Sequence, residues 1–214
     1  MAVKCLGFAI EKRARARDIL LKLCDDPDLT IVQNAALAVG ILRDKQTDLT
    51  PLVKLLAHGD LTVRTNAATS LRDLFLVIPT PRDLTPQYWT AIDRLVTLLH
   101  EKSSPRGRRA AVWALANLRH PETLPHLISA LEDPDEIVQI GGLYGIEVLG
   151  DQRALDPVLE YLHKGPTTNG ASWARKALVR IAVQGGFAKT ASELDELKTN
   201  WRAWRDWFRA ARMK

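Results

Sequence analysis

Two segments of this chain have nearly the same sequence. The first is Asp28-Leu-Thr-Ile-Val-Gln-Asn-Ala-Ala36, and the second, Asp60-Leu-Thr-Val-Arg-Thr-Asn-Ala-Ala68, begins 32 positions later. Self-similarity with a period of about 20 to 50 residues is typical of stacked repeats, in which one unit cannot bury its apolar face alone. This internal repeat therefore constrains the fold more than any other feature of the sequence.

The same pattern occurs five times along the chain. Each copy has an apolar or small residue that we call the anchor: Ile31, Val63, Gly107, Val138 and Gly170. An aliphatic residue follows eleven positions later: Leu42, Leu74, Leu118, Leu149 and Ile181. A residue able to cap a helix stands three positions before each anchor: Asp28, Asp60, Ser104, Asp135 and Thr167. Because a Leu-rich segment ends shortly before each cap, we predict five units of helix, turn and second helix, with the anchors facing the core.

One spacing between anchors is longer than the others, 44 residues where the rest are 31 or 32. The extra residues lie at about 76–88, and three prolines there predict an extended loop before a helix that starts at Thr85-Pro86. Two roles remain open for this insertion, a tolerated surface loop or a loop that grips a partner.

The repeat pattern stops after Ile181, and Gly185-Gly186 follows. Thr190 and Glu193 predict a capping box that opens a helix. The tail then places apolar residues on one helical face, namely Trp201, Trp204, Phe208 and Ala211. A basic stripe runs beside them, formed by Arg202, Arg205, Arg209 and Arg212. We expect a solenoid over 1–184 and a capping region over 185–214 in the same domain. The alternative is an amphipathic helix for a membrane surface or a partner helix.

The chain resembles the HEAT family, specifically the short repeats of phycobilin-lyase-like proteins. The resemblance is carried by Asp-x-x-Val-Arg-x-x-Ala-Ala in 60–68, by Leu-Gly-Asp in 149–151, and by first-helix prolines at Pro51, Pro125 and Pro157. It implies an all-α fold, a right-handed α-solenoid (superhelix) of about five HEAT-like helical hairpins with a C-terminal Trp-rich capping helix. It also implies that Arg64 and Arg108 bond to the cap aspartates of neighbouring units and that the second helices line a concave face.

Composition and motifs narrow the function. The net charge of +5 and the pI near 9.4 permit a nucleic-acid partner, but 30 basic against 25 acidic residues is a modest excess. Two cysteines, Cys5 and Cys24, predict neither a disulfide framework nor a zinc site and favour a cytoplasmic location. No apolar run reaches the roughly 18 residues of a membrane span. Without a phosphate loop or a nucleophile motif, we expect no catalytic residue, no cofactor and no metal.

Side chains that point away from the core on the second helices are the candidate binding residues. We predict that a partner contacts Arg72, Arg109, Trp113, Tyr144, Lys176 and Arg180 on the concave face. Arg beside large aromatics is typical of binding hot spots, although Trp113 and Tyr144 packing on each other remains an alternative.

These residues predict a non-enzymatic protein–protein interaction scaffold. One alternative is a nucleic-acid-binding protein similar to the HEAT-like DNA glycosylases, for which Asp73 is the nearest candidate acid. The other is a bilin lyase or tetrapyrrole chaperone, which the resemblance alone implies.

Overall fold

The computed structural model describes the backbone of residues 2–188 and 190–212, and the side chains of residues 11–188 and 190–211. Over these ranges the ordered elements are helices and no strand occurs. The chain divides into two compact units, Met1–Leu118 and Arg119–Lys214. The side chains of Cys5 and Arg212 lie outside the described residues.

Unit 1 consists of three helical hairpins. Their helices are α1 (Ala2–Leu23) and α2 (Leu29–Leu42), α3 (Thr50–Leu55) and α4 (Leu61–Leu74), and α5 (Pro86–Leu99) and α6 (Pro105–Leu118). Each first helix packs against its own second helix, and the second helices pack side by side, α2 against α4 and α4 against α6. This arrangement places the core between the two layers of helices.

Unit 2 consists of two further hairpins and a C-terminal region. Its helices are α7 (Leu124–Ser129), α8 (Glu136–Leu149), α9 (Leu155–His163) and α10 (Thr168–Gln184), followed by a 3₁₀ segment (Ala191–Leu197) and α11 (Trp201–Arg212). Here α8 packs against α7 and α10, and α9 against α10 and α11. The five helical hairpins predicted from the repeat are confirmed.

The side chain that begins each second helix is the predicted one. Asp28 accepts a hydrogen bond from the Thr30 amide at 2.7 Å and Asp60 one from the Val63 amide at 2.9 Å. The remaining three caps, each with one backbone donor within 3.0 Å, are Ser104, Asp135 and Thr167. Each cap satisfies an amide that the helix itself leaves without a partner, so all five cap predictions are confirmed.

Four of the five anchors are buried as predicted, namely Val63, Gly107, Val138 and Gly170. The prediction is wrong for Ile31, whose exposed fraction is 38%. The buried face of α2 includes Val32 and Val39, which lie one residue further along the helix than the anchor pattern implies. Ile31 therefore lies on a flank of α2 that none of the described helices of unit 1 covers.

Hydrogen bonds between side chains and backbone join α4 to α2. Ser70 is fully buried and its hydroxyl donates to the carbonyl of Ala36, while the Gly40 amide donates to that hydroxyl at 3.1 Å. Asn66 donates from Nδ2 to the carbonyl of Gln33 at 2.9 Å. These bonds satisfy polar groups that would otherwise be costly to bury, and they fix the register of the two helices.

The bonds of Arg64 differ from those that the resemblance implies. Arg64 donates to the carbonyls of His58 and Gly59, at 2.8 and 2.9 Å, and so binds the turn of its own hairpin rather than a neighbour's cap. The bond from a neighbouring hairpin to the Asp60 cap comes instead from Gln33, whose Nε2 donates at 3.1 Å. The backbone and side-chain bonds to its carboxylate lower the pKa of Asp60.

The insertion ends where the sequence predicted, with Thr85 at the N-cap and Pro86 in the first turn of α5. A hydrogen bond joins the insertion to the end of α6, because the Thr80 hydroxyl donates to the carbonyl of Leu118 at 2.6 Å. The rings of Phe75 and Tyr88, which flank the insertion, stack with centroids 6.1 Å apart. Whether the insertion grips a partner stays a prediction.

The C-terminal region covers the last hairpin of unit 2. In α11, Trp204 and Phe208 are buried and stack on each other, and Trp204 Nε1 donates to the carbonyl of Lys198 at 2.9 Å. The predicted capping box is wrong: no side-chain capping bond from Thr190 is present, and a 3₁₀ segment follows it instead of an α-helix. The face predicted from the tryptophan spacing is confirmed by the burial of Trp204 and Phe208.

The close approach of α2 and α4 predicts a difference between two glycine substitutions. A side chain added at Gly40 would place its Cβ 2.5 Å from the Cα of Ser70, whereas one added at Gly59 would meet nothing within 4 Å. We expect Gly40→Ala to lower the free energy of unfolding by about 1 to 3 kcal/mol, because an overpacked helix contact forces the backbone apart. Gly59→Ala is the control, and denaturant unfolding of both variants should show a change near zero for it. Equal losses would contradict the close packing described for Gly40.

The segment Ala191–Leu197 predicts a second difference. Leu194 is fully buried, whereas the ion pair between Arg175 and Asp195, at 2.7 Å, is largely exposed on the aspartate side. Removing a buried leucine side chain costs about 2 to 5 kcal/mol, and an exposed ion pair contributes about 0 to 1 kcal/mol. We expect limited proteolysis within this segment to accelerate strongly in Leu194→Ala and little in Asp195→Asn. The opposite order would mean that the ion pair holds the segment.

Candidate functional site

Three large polar or aromatic side chains share one face of α10. Trp173, Lys176 and Arg180 follow one another at spacings of three and four residues, which places them on one side of a helix. Lys176 and Arg180 are exposed, and Trp173 is partly exposed. The Lys176 ammonium lies 3.8 Å from the centroid of the Trp173 ring, a cation–π contact that holds the charge over the aromatic face.

Tyr144 extends this face onto the neighbouring helix α8. Its ring meets the Trp173 ring edge to face, with centroids 6.0 Å apart and an interplanar angle of 86°. Edge-to-face contacts are a favoured geometry for aromatic pairs and hold both rings in place. Trp113 belongs to unit 1, and its pairing with Tyr144 stays a prediction.

Beside these aromatics lies a groove of about 250 Å³. Its lining residues, all in unit 2, are Glu147, Arg175, Lys176, Val179, Arg180, Val183 and Ala191. Three of them are cationic and one is anionic, and the valine and alanine side chains form an apolar strip between the charges. A groove of this composition favours a ligand that carries both negative charge and aliphatic groups.

Packing against two other elements fixes the walls of the groove. The segment containing Ala191 packs against α10: its Leu194 is buried, and at the surface the Asp195 carboxylate accepts a hydrogen bond from the Arg175 guanidinium at 2.7 Å. Arg180 lies against the end of α8, because a Cβ built on Gly150 would be 3.2 Å from its Cγ. Gly150 ends α8 with a φ of 61°, a left-handed conformation that glycine adopts without strain.

The other three predicted site residues lie in unit 1. Arg109 and Trp113 are partly exposed and one helical turn apart on α6. Arg72, in the last turn of α4, is partly exposed, and its Nε lies 2.9 Å from Asp73 Oδ1. The Asn117 side chain donates to the carbonyl of Arg72 at 3.0 Å, which ties this turn to α6. Because Asp73 is engaged by Arg72, its carboxylate is a poor candidate for the acid of a DNA glycosylase.

The positions that are equivalent to Arg72 and Arg109 in other repeats are not all exposed. Thr65, Ala116 and Ile140 are buried. Thr65 lies on α4 between α2 and α6, where a small side chain fits between neighbouring second helices. The outward surface is therefore narrower than the repeat pattern alone indicates.

Sequence reasoning missed the contributions of Trp173, Arg175 and Val179. One signal was present: Trp173 stands three residues after its anchor, where the other repeats carry the smaller residues Asn34, Asn66, Ala110 and Gly141. A large aromatic at that position is a departure from the repeat, and its spacing to Lys176 and Arg180 identifies the helical face. The wall formed by Ala191 had no sequence signal.

Two further properties of the described residues bear on other kinds of site. Across 2–188 and 190–212, no group of three or more His, Cys, Asp or Glu side chains is arranged to hold a metal ion. Within the same part of the chain, none of the helices combines the length with the apolar character that crossing a bilayer requires.

Comparison with known proteins identifies the repeat. The sequence matches the profile of HEAT repeats over residues 1–72 and 92–179. No curated protein sequence matches the chain significantly. A designed armadillo repeat protein is similar in structure, with 19% identity, a TM-score of 0.63, and coverage of 88% of this chain and 98% of that one.

Two further solved structures are similar. One is an engineered protein from the Northeast Structural Genomics Consortium, with 19% identity, a TM-score of 0.63, and coverage of 91% of this chain and 94% of that one. The other is a designed armadillo repeat protein in complex with the peptide (KR)4, with 21% identity, a TM-score of 0.60, and coverage of 88% and 98%. At these identities the likeness shows the fold, an all-α solenoid of helical hairpins. With the profile match over most of its length, this chain belongs to the HEAT-repeat family.

Proposed function

We propose that this protein is a non-enzymatic interaction scaffold that holds an extended, acidic segment of a partner protein against the second helices. The groove beside α10 carries the proposal. Lys176 and Arg180 are exposed at its edge, and Glu147 is the only carboxylate among its lining residues. Exposed cations beside an apolar strip favour a chain whose acidic and aliphatic side chains alternate.

An extended peptide presents both acidic and aliphatic side chains to the groove. Successive side chains of an extended chain point to opposite sides, so residues two apart face the same surface. In an alternating sequence the carboxylates therefore lie on one side of the chain, where they form ion pairs with Lys176 and Arg180, and the aliphatic groups lie on the other side, where they contact Val179 and Val183. The ring of Trp173, held by Tyr144 and Lys176, adds a rigid surface next to Lys176.

The fold class supports a peptide ligand, and the charges of the groove indicate which net charge that peptide carries. One of the similar designed armadillo proteins is in complex with a basic peptide, (KR)4. In the present chain the groove is itself basic, and a peptide of that charge would be repelled. We therefore infer the opposite preference, for an acidic partner, within the same architecture.

The proposal extends to unit 1 and to the cellular location. We infer that the partner also contacts Arg72, Arg109 and Trp113, the partly exposed basic and aromatic side chains of α4 and α6.

We infer a reducing, cytoplasmic setting, which the buried free thiol of Cys24 supports. Burial raises the pKa of this thiol to about 11, and the protonated form is unreactive at neutral pH.

Charge reversal in the groove tests the proposal. We expect Lys176→Glu with Arg180→Glu to weaken binding of a short peptide of alternating glutamate and leucine by about tenfold or more, because attraction becomes repulsion. Isothermal titration calorimetry measures the change. Lys102→Glu with Arg106→Glu is the matched control, since it alters the net charge equally at two exposed positions of unit 1. Unchanged affinity in the first variant, or equal loss in the control, would overturn the assignment to this groove.

The ligand itself distinguishes this proposal from the nucleic-acid alternative. Peptides of alternating glutamine and leucine, or lysine and leucine, are expected to bind at least tenfold more weakly than the acidic peptide. Substituting Val183→Gln should weaken the acidic peptide but not duplex DNA, because only the peptide brings aliphatic groups. Preferential binding of DNA, with affinity falling steeply in salt, would replace the scaffold proposal by the nucleic-acid one. The bilin alternative stays a hypothesis.

The unit 1 residues have a separate test. We expect Arg109→Ala with Trp113→Ala to leave the helical circular dichroism signal intact, because both side chains are partly exposed on the surface of α6. The same variant should weaken binding of the acidic partner, since truncating arginine and tryptophan anchors commonly costs about 2 kcal/mol or more. Loss of helical signal would show instead that these residues belong to the core.

A further inference from the structure

One flank of α2 stands out because its counterpart on α4 is covered. The flank consists of Ile31, Asn34, Ala38 and Ile41, which are spaced by three or four residues along one side of the helix. Ile31, Asn34 and Ile41 are exposed, and the exposed fraction of Ile41 reaches 70%. Two isoleucines are thus left in contact with solvent on a helix that carries no charged residue between Leu29 and Leu42.

The repeat shows what such a flank packs against. Positions 63, 66 and 70 of α4 are the equivalents of 31, 34 and 38, and all three are buried. Asn66 and Ser70 reach the backbone of α2 there, through hydrogen bonds to the carbonyls of Gln33 and Ala36. The same surface of the repeat is therefore built to pack on a second helix, and Asn34 has the side chain that Asn66 uses for that purpose.

From this flank we infer that α2 is a dimerisation surface, on which a second copy of this chain packs its own α2 antiparallel to the first. The pattern of the flank is two-fold symmetric. Ile31 and Ile41 lie five residues on either side of the level of Ala36, and Asn34 and Ala38 lie two residues on either side. An antiparallel pair centred there sets Ile31 of each copy against Ile41 of its partner, and it sets Asn34 against the small side chain of Ala38. Such a contact is isologous and closes after two subunits.

Two further observations favour this occupant over a head-to-tail stack of copies. Head-to-tail stacking would require an open flank on the last hairpin of unit 2, and α11 packs on α9 while the 3₁₀ segment packs on α10 there. In addition, the absence of charge along α2 removes the repulsion that two identical charged faces would produce. One helix pair buries less than the roughly 1,200 Å² of a stable interface, so the dimer is weak and reversible.

Sedimentation equilibrium of the full chain over a range of micromolar concentrations tests the inference. We expect a monomer–dimer equilibrium, with Ile41→Lys weakening association at least tenfold and leaving the melting temperature of the dilute monomer unchanged, because that side chain is exposed in the monomer. Ile137→Lys is the matched control, an isoleucine exposed to 44% on α8 of unit 2, and should associate like the parent. A chain that stays monomeric, or a dimer that Ile41→Lys does not weaken, would overturn the proposal.

Disulfide trapping tests the antiparallel arrangement. In a Cys5→Ser background, an equimolar mixture of Ile31→Cys and Ile41→Cys chains is expected to form a mixed disulfide dimer under mild oxidation. Ile41→Cys alone should not, because an antiparallel pair separates its two copies by about 15 Å along the helix axis, whereas a disulfide needs Cβ atoms about 4 Å apart. Efficient cross-linking of Ile41→Cys alone, or none in the mixture, would contradict the geometry.

Discussion

The contact between neighbouring second helices is the interaction on which the rest of unit 1 depends. Asn66 and Ser70 of α4 bind backbone carbonyls of α2, and Gly40 leaves the space that lets Ser70 approach. Buried polar groups stabilise a contact only when they are paired, and each such bond then also defines the register. Because the register is fixed, the side chains on the outer surface of the helices occupy fixed positions as well.

The candidate site in unit 2 follows from similar packing. Helices α8 and α10 lie side by side, so Tyr144 meets Trp173, and Arg180 reaches the end of α8 at Gly150. Site residues on packed helices keep their positions better than residues on loops. The groove needs one more element, the segment from Ala191 to Leu197, which Leu194 anchors in the core. The binding chemistry is thus a property of three elements and of no single repeat.

The first and last hairpins differ in how much apolar surface they expose to solvent. At the C-terminal region, Trp204 and Phe208 of α11 are buried and shield α9 from solvent. On α2, the flank that contains Ile31 and Ile41 is exposed, and no charge is present along the helix to make that exposure favourable. Repeat units bury their apolar surface against neighbours, so an exposed flank of this composition is suited to association.

The sequence by itself determined the repeat architecture. Five caps, four buried anchors and the start of α5 at Pro86 follow from local chemistry, since a cap side chain binds amides within its own first turn and proline fixes its own backbone angle. The tail helix was also predictable from nearby residues, because the spacing of its tryptophans defines one face. In these cases the residues that decide the structure are close together in the chain.

Only the tertiary structure decided which of two equivalent positions is buried and what lies beside it. Ile31 and Val63 have the same place in the repeat, yet only Val63 is covered, because burial depends on the neighbouring helix and not on the residue. The partner of Asp60 proved to be Gln33 rather than an arginine, and Trp173 joined Tyr144 and Lys176 across two helices. Contacts between residues distant in the chain depend on the packing angle and register of whole helices, which no local pattern specifies.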